Sequence, residues 1–143
     1  MLKDIRRKVM QIANRLVGQG KARTEAMLIA WNIIRYKALK TKVQGTSFDN
    51  RQNVLQLLCK YNPAYITVKL VRDRLNAFDS NAIAVTANIK GKASAVIGYL
   101  PKAVASVVAA LIDKGINVGA DTLSIVGGFN EKENYGARIL VKI

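Results

Sequence analysis

The chain has 143 residues, half of them apolar, and it carries a formal net charge of +14 at pH 7. This length supports one compact domain, or one domain with a short appendage, and the charge makes a polyanion such as nucleic acid the first partner to consider. The absence of histidine excludes the Ser-His and Cys-His catalytic pairs, and the single Cys59 excludes an internal disulfide and a zinc cluster.

Residues 1–42 predict a helical hairpin with a basic surface. Apolar side chains recur at three- and four-residue steps until Gly18 and Gly20 end the first helix. A second helix is predicted from an N-cap at Thr24 to about Leu39. The basic surface consists of Arg6, Arg7, Lys8, Arg15, Lys21 and Arg23.

Two interpretations of the hairpin stay open. It could read duplex DNA as a helix-turn-helix, or it could pack on the remainder of the chain or form a mobile basic arm. Amphipathic helices with basic outer faces are more often packing units, which favours the second interpretation.

The remainder of the chain predicts an α+β or open-barrel domain. Residues 42–48 alternate as a strand does, and a short helix over 51–60 follows a cap at Asn50 or Asp49. Further strands are predicted within residues 64–73, 81–89, 95–100, 116–128 and 136–143, with a polar loop over 127–136 between the last two.

A buried helix and a curled sheet complete this prediction. Proline is favoured in the first turn of a helix, so Pro101 indicates a buried helix over residues 102–114 that Gly115 ends. The strands are short and mostly follow one another along the chain. This order favours a small, mostly antiparallel sheet that curls, with two helices packed against it.

Three stretches follow, in order, the pattern of a known domain. They are VQGTSF at 43–48, LVRDRLNAFDSNAIAV at 70–85 and IGYLPKAVASVVAALIDKG at 97–115. Together they resemble the HIRAN domain, a module of DNA-repair helicases that also occurs alone in bacteria and phages. The resemblance covers about residues 43–143, and it implies an OB-like, partly open small β-barrel that binds DNA and is preceded by the basic hairpin of residues 1–42.

The resemblance also implies a pocket for single-stranded DNA and, in the repair helicases, for a free 3′ end. Phe48 and Phe78 would stack on the terminal bases or clamp the last nucleotide, a contact that tolerates any sequence. Asp79 would accept a hydrogen bond from the 3′-hydroxyl and would repel a terminal phosphate. Lys102, just inside a helix start, would contact a backbone phosphate. The residues in or beside the pocket are Phe48, Asn76, Phe78, Asp79, Tyr99 and Lys102.

The chain departs from the DNA-binding members of this family at three positions. Those members tend to carry a basic residue at the position of Ser47 and tyrosines at the positions of Phe48 and Phe78. Phenylalanine keeps the stacking surface but has no hydroxyl that could bind a phosphate. An ordinary turn or surface role stays open for Asn76, Asp79, Asn81, Tyr99 and Lys102.

The function we expect is that of a non-enzymatic module that binds single-stranded DNA or DNA 3′ ends, without a cofactor or metal. A second hypothesis is a mobile-element inhibitor of a host defence nuclease, of the anti-CRISPR type, that acts on a nuclease–nucleic acid complex. A third is a hydrolase in which Asp73 and Asp79 hold Mg²⁺, but the sequence places no further acidic ligand. No apolar run approaches the roughly 18 residues of a membrane span, so we expect a cytoplasmic protein of a bacterial host cell with no membrane partner.

Overall fold

The computed structural model describes residues 2–48, 50–127 and 134–143, and within them the chain forms four α-helices and six β-strands. The helices are α1 Leu2–Gly18, α2 Arg23–Tyr36, α3 Arg51–Leu58 and α4 Lys102–Asp113. The strands are β1 Ala38–Val43, β2 Ile66–Arg72, β3 Ile83–Ile89, β4 Ala93–Tyr99, β5 Gly119–Gly127 and β6 Tyr135–Lys142. None of the helices in these ranges combines the length and hydropathy of a membrane span.

The six strands form two antiparallel sheets of three strands each, in the orders β2-β3-β4 and β1-β6-β5. Gln44, just after β1, joins the two sheets because it exchanges backbone hydrogen bonds with Tyr99 at the end of β4, with N–O distances of 2.7 and 2.8 Å. At the opposite edges, β2 lies beside β5 without ladder pairing among the described residues. The predicted α+β, partly open barrel is therefore confirmed.

Helix α4 lies between the barrel and the helical hairpin. Its sequence is apolar on all sides, which is the pattern of a helix that is buried all round. Val104 and Val108 pack in the barrel core, whereas Ala103 and Val107 pack against the hairpin, so one helix serves both cores. The barrel core also contains the fully buried Leu55, Ile83, Val85, Ile97 and Val141.

Helices α1 and α2 form the predicted hairpin, and the hairpin packs on the remainder of the chain. Its interface buries Leu16, Ala26 and Ile33 together with the outer face of α4. The turn between the helices passes through Gly20, whose φ of +97° is a conformation that glycine adopts without strain. The division of the chain at residue 42 stays a prediction, since β1 follows the hairpin directly and pairs with β6.

The boundaries of α2 and β1 differ from the sequence-based expectation. Helix α2 begins at Arg23, and Thr24 is not its N-cap, because Ala22 occupies that position without a side-chain hydrogen bond. The helix ends before Lys37, which adopts a left-handed φ of 51°, and β1 begins at Ala38. Here the ladder with β6 outweighs the helical periodicity, because tertiary pairing routinely overrides local propensity.

Two predictions concern positions outside the described residues. Asp49 as the cap of α3 is one of them, and Asn50 occupies the N-cap position without a side-chain cap hydrogen bond. The other is the polar loop over 127–136, of which residues 128–133 lie outside the description. Strands β5 and β6 border this loop as the sequence predicts.

Candidate functional site

Residues 73–82 connect β2 to β3, and we call them the aromatic loop. The side-chain oxygen of Asn76 accepts hydrogen bonds from the backbone N–H groups of Phe78 (2.9 Å) and Asp79 (3.0 Å). The Asp79 carboxylate in turn accepts a hydrogen bond from the N–H of Asn81 (2.9 Å). Such side-chain to backbone bonds are typical of Asn and Asp in turns. They hold the aromatic loop in a defined conformation.

Two apolar side chains project from the aromatic loop into solvent. Phe78 is 96% exposed and Leu75 is 95% exposed. A phenylalanine this exposed forgoes roughly 1.5–3 kcal/mol that burial of its side chain would contribute to stability. Its ring is therefore available to stack on a ligand.

A hydrogen-bonded group links the base of the aromatic loop to β4. Tyr99 donates its hydroxyl to Oδ2 of Asp73 (3.0 Å), and the amide of Asn76 donates to the same oxygen (3.3 Å). The Arg51 guanidinium lies over the Tyr99 ring, 5.3 Å from its centroid. Burial raises the pKa of the Tyr99 phenol, the hydrogen bond and charge of Asp73 raise it further, and Arg51 and Asn76 oppose the rise. The phenol therefore stays neutral at ordinary pH and keeps its proton for Asp73.

The turn at residues 45–48 presents the second aromatic ring, and we call it the Phe48 turn. Gly45 takes a positive φ of 74° there, so the strand predicted across this region ends before it. Phe48 consequently lies in the turn and is 67% exposed. Arg51 donates a hydrogen bond to the Gly45 carbonyl at 2.7 Å. Because Arg51 also lies over the Tyr99 ring, it connects the Phe48 turn to the base of the aromatic loop.

The structure brings some of the predicted pocket residues into direct contact and leaves others apart. Hydrogen bonds through Asp73 and Asn76 connect Tyr99 to Asp79. Lys102 is exposed at the first residue of α4, three positions after Tyr99, and it forms no ion pair within the part of the chain that the structure describes. Of the predicted pocket residues, Asn76, Phe78, Asp79 and Tyr99 are therefore linked through hydrogen bonds, whereas no hydrogen bond among the described residues links Lys102 to them.

One of the two carboxylate oxygens of Asp79 stabilises the turn, which is the ordinary role that the sequence left open for this residue. Oδ1 accepts the hydrogen bond from Asn81. Oδ2 has no hydrogen-bond partner in the described ranges. The same carboxylate can therefore stabilise the turn and accept a hydrogen bond from a ligand hydroxyl.

Arg51 and Asp73 have structural roles that the sequence patterns did not assign. Arg51 contacts both the Phe48 turn and Tyr99, and no local periodicity signals such a contact. The Asp-x-x-Asn spacing from Asp73 to Asn76 was the available signal for the second role. Among the described residues, no group of three or more His, Cys, Asp or Glu side chains is placed to share a metal ion.

The residues of the predicted basic surface lie on α1, on α2 and in the turn between them. Arg6, Lys8 and Arg15 are exposed on α1. The other three have partners within the hairpin: Arg7 with Asp4 (3.2 Å), Lys21 with Glu25 (3.0 Å) and Arg23 with Asn14 (2.7 Å). Only two of these partners, Asp4 and Glu25, carry a negative charge, so the surface keeps an excess of positive charge.

Comparison with known proteins gives a family match and a similar solved structure. A crystal structure of a protein from Lactobacillus plantarum is similar, with 21% sequence identity over 74% of this chain and 95% of that chain and a TM-score of 0.49. No curated protein sequence matches the chain. The model of the HIRAN domain matches residues 36–135, which is most of the chain. The chain therefore belongs to the HIRAN domain family.

Proposed function

We propose that the protein binds single-stranded DNA, with a preference for a free 3′ end, through the aromatic loop and the Phe48 turn. HIRAN domains bind DNA and are not catalytic by themselves, which supports the class of ligand. The observation that carries the proposal is the 96% exposure of Phe78 on a loop that side-chain hydrogen bonds hold in place. Because the backbone of the loop is already held in place, little backbone conformational entropy is lost when a base stacks on the exposed ring.

The chemistry of the aromatic loop suits the end of a strand. Phe78 offers a stacking surface that accepts any base, because every base has a π-face. Asp79 is the next residue, and its Oδ2 can accept a hydrogen bond from a terminal hydroxyl. A terminal phosphate at the same place would be repelled by the carboxylate. We therefore expect selection for a 3′-hydroxyl over a 3′-phosphate.

The start of α4 can contribute a phosphate contact. Lys102 is exposed in the first turn of this helix. The backbone N–H groups at a helix start and the positive end of its dipole both favour an anion, and the ammonium of Lys102 adds to them. Pro101, the N-cap of this helix, lies two residues after Tyr99, and Tyr99 lies at the base of the aromatic loop.

Substitution of Phe78 by alanine tests the proposal, with Leu75→Ala as the matched control. Both side chains are almost fully exposed on the same loop, so neither change should alter the free energy of unfolding measurably. We expect Phe78→Ala to weaken binding of a labelled single strand by about 1–3 kcal/mol, or about 5- to 150-fold, in fluorescence anisotropy. Leu75→Ala should change the affinity far less, because leucine has no π-face. Equal effects of the two substitutions would refute stacking at Phe78.

The inhibitor hypothesis stays a prediction beside this proposal, and both functions assume the cytoplasm of a bacterial host cell. A pull-down from host lysate with and without competing short single strands separates the two. Stable capture of one nuclease complex that the competitor does not displace would favour inhibition. Loss of all capture in the presence of the competitor would favour the DNA-binding module.

A further inference from the structure

The outward face of the β1-β6-β5 sheet is strongly basic. Side chains alternate between the two faces of a strand, and here the alternation sends Val43, Ala137 and Ile139 into the core. The alternate residues point outward, and the charged ones among them are exposed. We call this surface the basic sheet face, and its cations are Lys40, Lys42, Arg138 and Lys142.

A groove of about 490 Å³ runs across the basic sheet face. The partner of Asp121 across the ladder is Leu140 and that of Ser124 is Arg138, so two residues of β5 face one residue of β6. Such a bulge increases the local twist and redirects side chains, and bulges are common beside binding sites. The groove is lined mainly by Lys40, Lys42, Ser124, Arg138 and Leu140.

The cations of this face are poorly neutralised. Lys42 lies directly opposite Arg138 in the ladder between β1 and β6. Like charges in that position destabilise a sheet. Within the described part of the chain, Lys40, Lys42 and Arg138 form no ion pair, and Asp121 pairs with Lys142 at 2.8 Å. The face therefore maintains an electrostatic repulsion that an anionic ligand would relieve.

The side chains around the groove favour a phosphate backbone over bases. Lysine, arginine and serine bind phosphate oxygens, and among the described residues the groove lining contains no aromatic ring that could stack on a base. Strand β1 also runs directly into the Phe48 turn. Lys42 and Phe48 are six positions apart in the chain, a span of at most about 20 Å. One short strand of DNA is long enough to contact both.

We propose that the basic sheet face is a second DNA-binding surface, which holds the phosphate backbone of the single strand whose end lies at the aromatic loop. That the ligand is single-stranded DNA with its end at the aromatic loop rests on the proposed function. That a phosphate backbone binds here rests on the charges of the sheet. Binding at this surface is independent of sequence and depends strongly on salt. Binding at this surface also makes affinity depend on the length of the DNA strand. A strand of a few nucleotides contacts only the aromatic loop, whereas a longer strand also contacts the basic sheet face.

The test compares single strands of roughly 3 and roughly 15 nucleotides, within the range of site sizes known for OB-like domains. The variant carries Lys42→Gln and Arg138→Gln. We expect it to bind the long strand roughly fivefold to tenfold more weakly and to reduce the slope of log affinity against log salt by roughly 1 to 1.5. Binding of the short strand should be unchanged.

The matched control carries Lys69→Gln and Lys114→Gln, two exposed lysines on β2 and just after α4. It removes the same net charge from other surfaces. Because Lys42 and Arg138 repel each other, their neutralisation should leave the melting temperature at low salt equal or higher. If the double variant binds DNA more weakly but is at least as stable as the unmodified protein, Lys42 and Arg138 have a binding role and not a structural one. If the double variant does not fold, Lys40→Gln alone provides the same comparison.

Each outcome decides the proposal. An equal loss of long-strand affinity in the control would show an effect of net charge alone and would overturn it. Loss of short-strand and long-strand binding in equal measure would also overturn it. If Phe78→Ala binds both strands as tightly as the unmodified protein, but the Lys42 and Arg138 variant still binds the long strand more weakly than its control does, the proposed function at the aromatic loop fails and the basic sheet face stands.

Discussion

Asp79 shows how one side chain can serve both the fold and a ligand. One carboxylate oxygen stabilises the turn by accepting the Asn81 N–H, and the other has no hydrogen-bond partner in the described ranges. Tyr99 differs, since its hydroxyl donates to Asp73 and Arg51 covers its ring. Among single residues, Asp79 is therefore the better candidate for direct recognition of a strand end, and Tyr99 for support of the aromatic loop.

Asp79→Asn separates these two roles of the carboxylate. The amide oxygen can still accept the Asn81 N–H, so the free energy of unfolding should change by less than about 1 kcal/mol. The negative charge is lost, and with it a repulsion of a terminal phosphate that amounts to about 1 kcal/mol or more at close range. We expect the preference for a 3′-hydroxyl over a 3′-phosphate strand to fall by about fivefold or more in competition binding.

The unmodified protein provides the first check on this prediction. If it binds both strand ends equally, Asp79 does not discriminate between them. Asp79→Ala is the matched comparison for the turn, because it removes the bond to Asn81 together with the charge and should lower the free energy of unfolding by about 1 kcal/mol.

At the scale of elements, the junction between β1 and β4 holds the candidate site together. Two backbone hydrogen bonds between Gln44 and Tyr99 join the sheets there. Gly98 makes this approach possible, since a Cβ at that position would lie 2.5 Å from Cγ1 of Val43 and closer still to the Gln44 carbonyl oxygen. The Phe48 turn and the base of the aromatic loop both depend on this junction.

Gly98→Ala should therefore open the junction. Overpacking of this kind costs roughly 1–3 kcal/mol, which urea denaturation would detect as a lower midpoint. Gly119→Ala is the control, because Gly119 at the start of β5 has no left-handed φ and a Cβ added there would meet no atom within 4 Å. If the two variants unfold at the same urea concentration, the close approach at Gly98 does not constrain the barrel.

At the scale of the whole molecule, α4 joins a basic hairpin to a DNA-binding barrel. The hairpin holds its charges on exposed surfaces while its apolar residues pack on Ala103 and Val107. The formal charge of +14 creates a field that attracts a polyanion from a distance and accelerates encounter. We therefore expect the hairpin to add affinity without adding sequence preference.

Replacement of Arg6, Arg7 and Lys8 by glutamine tests this expectation. Binding should weaken by a similar factor for strands of different sequence, and the salt slope should fall by up to about 2 units for single strands. The control replaces the exposed Lys60, Lys90 and Lys114, which lie outside the hairpin. A larger effect in the control, or an effect confined to one DNA sequence, would contradict a contact between the hairpin and the phosphate backbone.

Local sequence was sufficient for the order of the elements, most of their positions and the family. The apolar periodicity of α1, the Pro101 and Gly115 signals that bound α4 and the strand patterns of β2 and β3 involve residues close together in the chain, and the confirmed helices and strands follow them. The motif from Asp73 to Val85 is also contiguous, so the turn chemistry of Asn76 and Asp79 was visible before any fold was known.

Contacts between distant parts of the chain decided the rest. Residues 38–43 form a strand because β6, near the other end of the chain, pairs with them, and the periodicity of α2 carries no information about that partner. The contact of Arg51 with the Tyr99 ring, and the position of Lys42 opposite Arg138 in the ladder, likewise come from pairing between distant segments of the chain. Sheet pairing and barrel closure bring together residues that are far apart in the chain. The contacts of Tyr99, Asp73 and Arg51 at the base of the aromatic loop, and the basic sheet face, therefore exist only in the folded molecule.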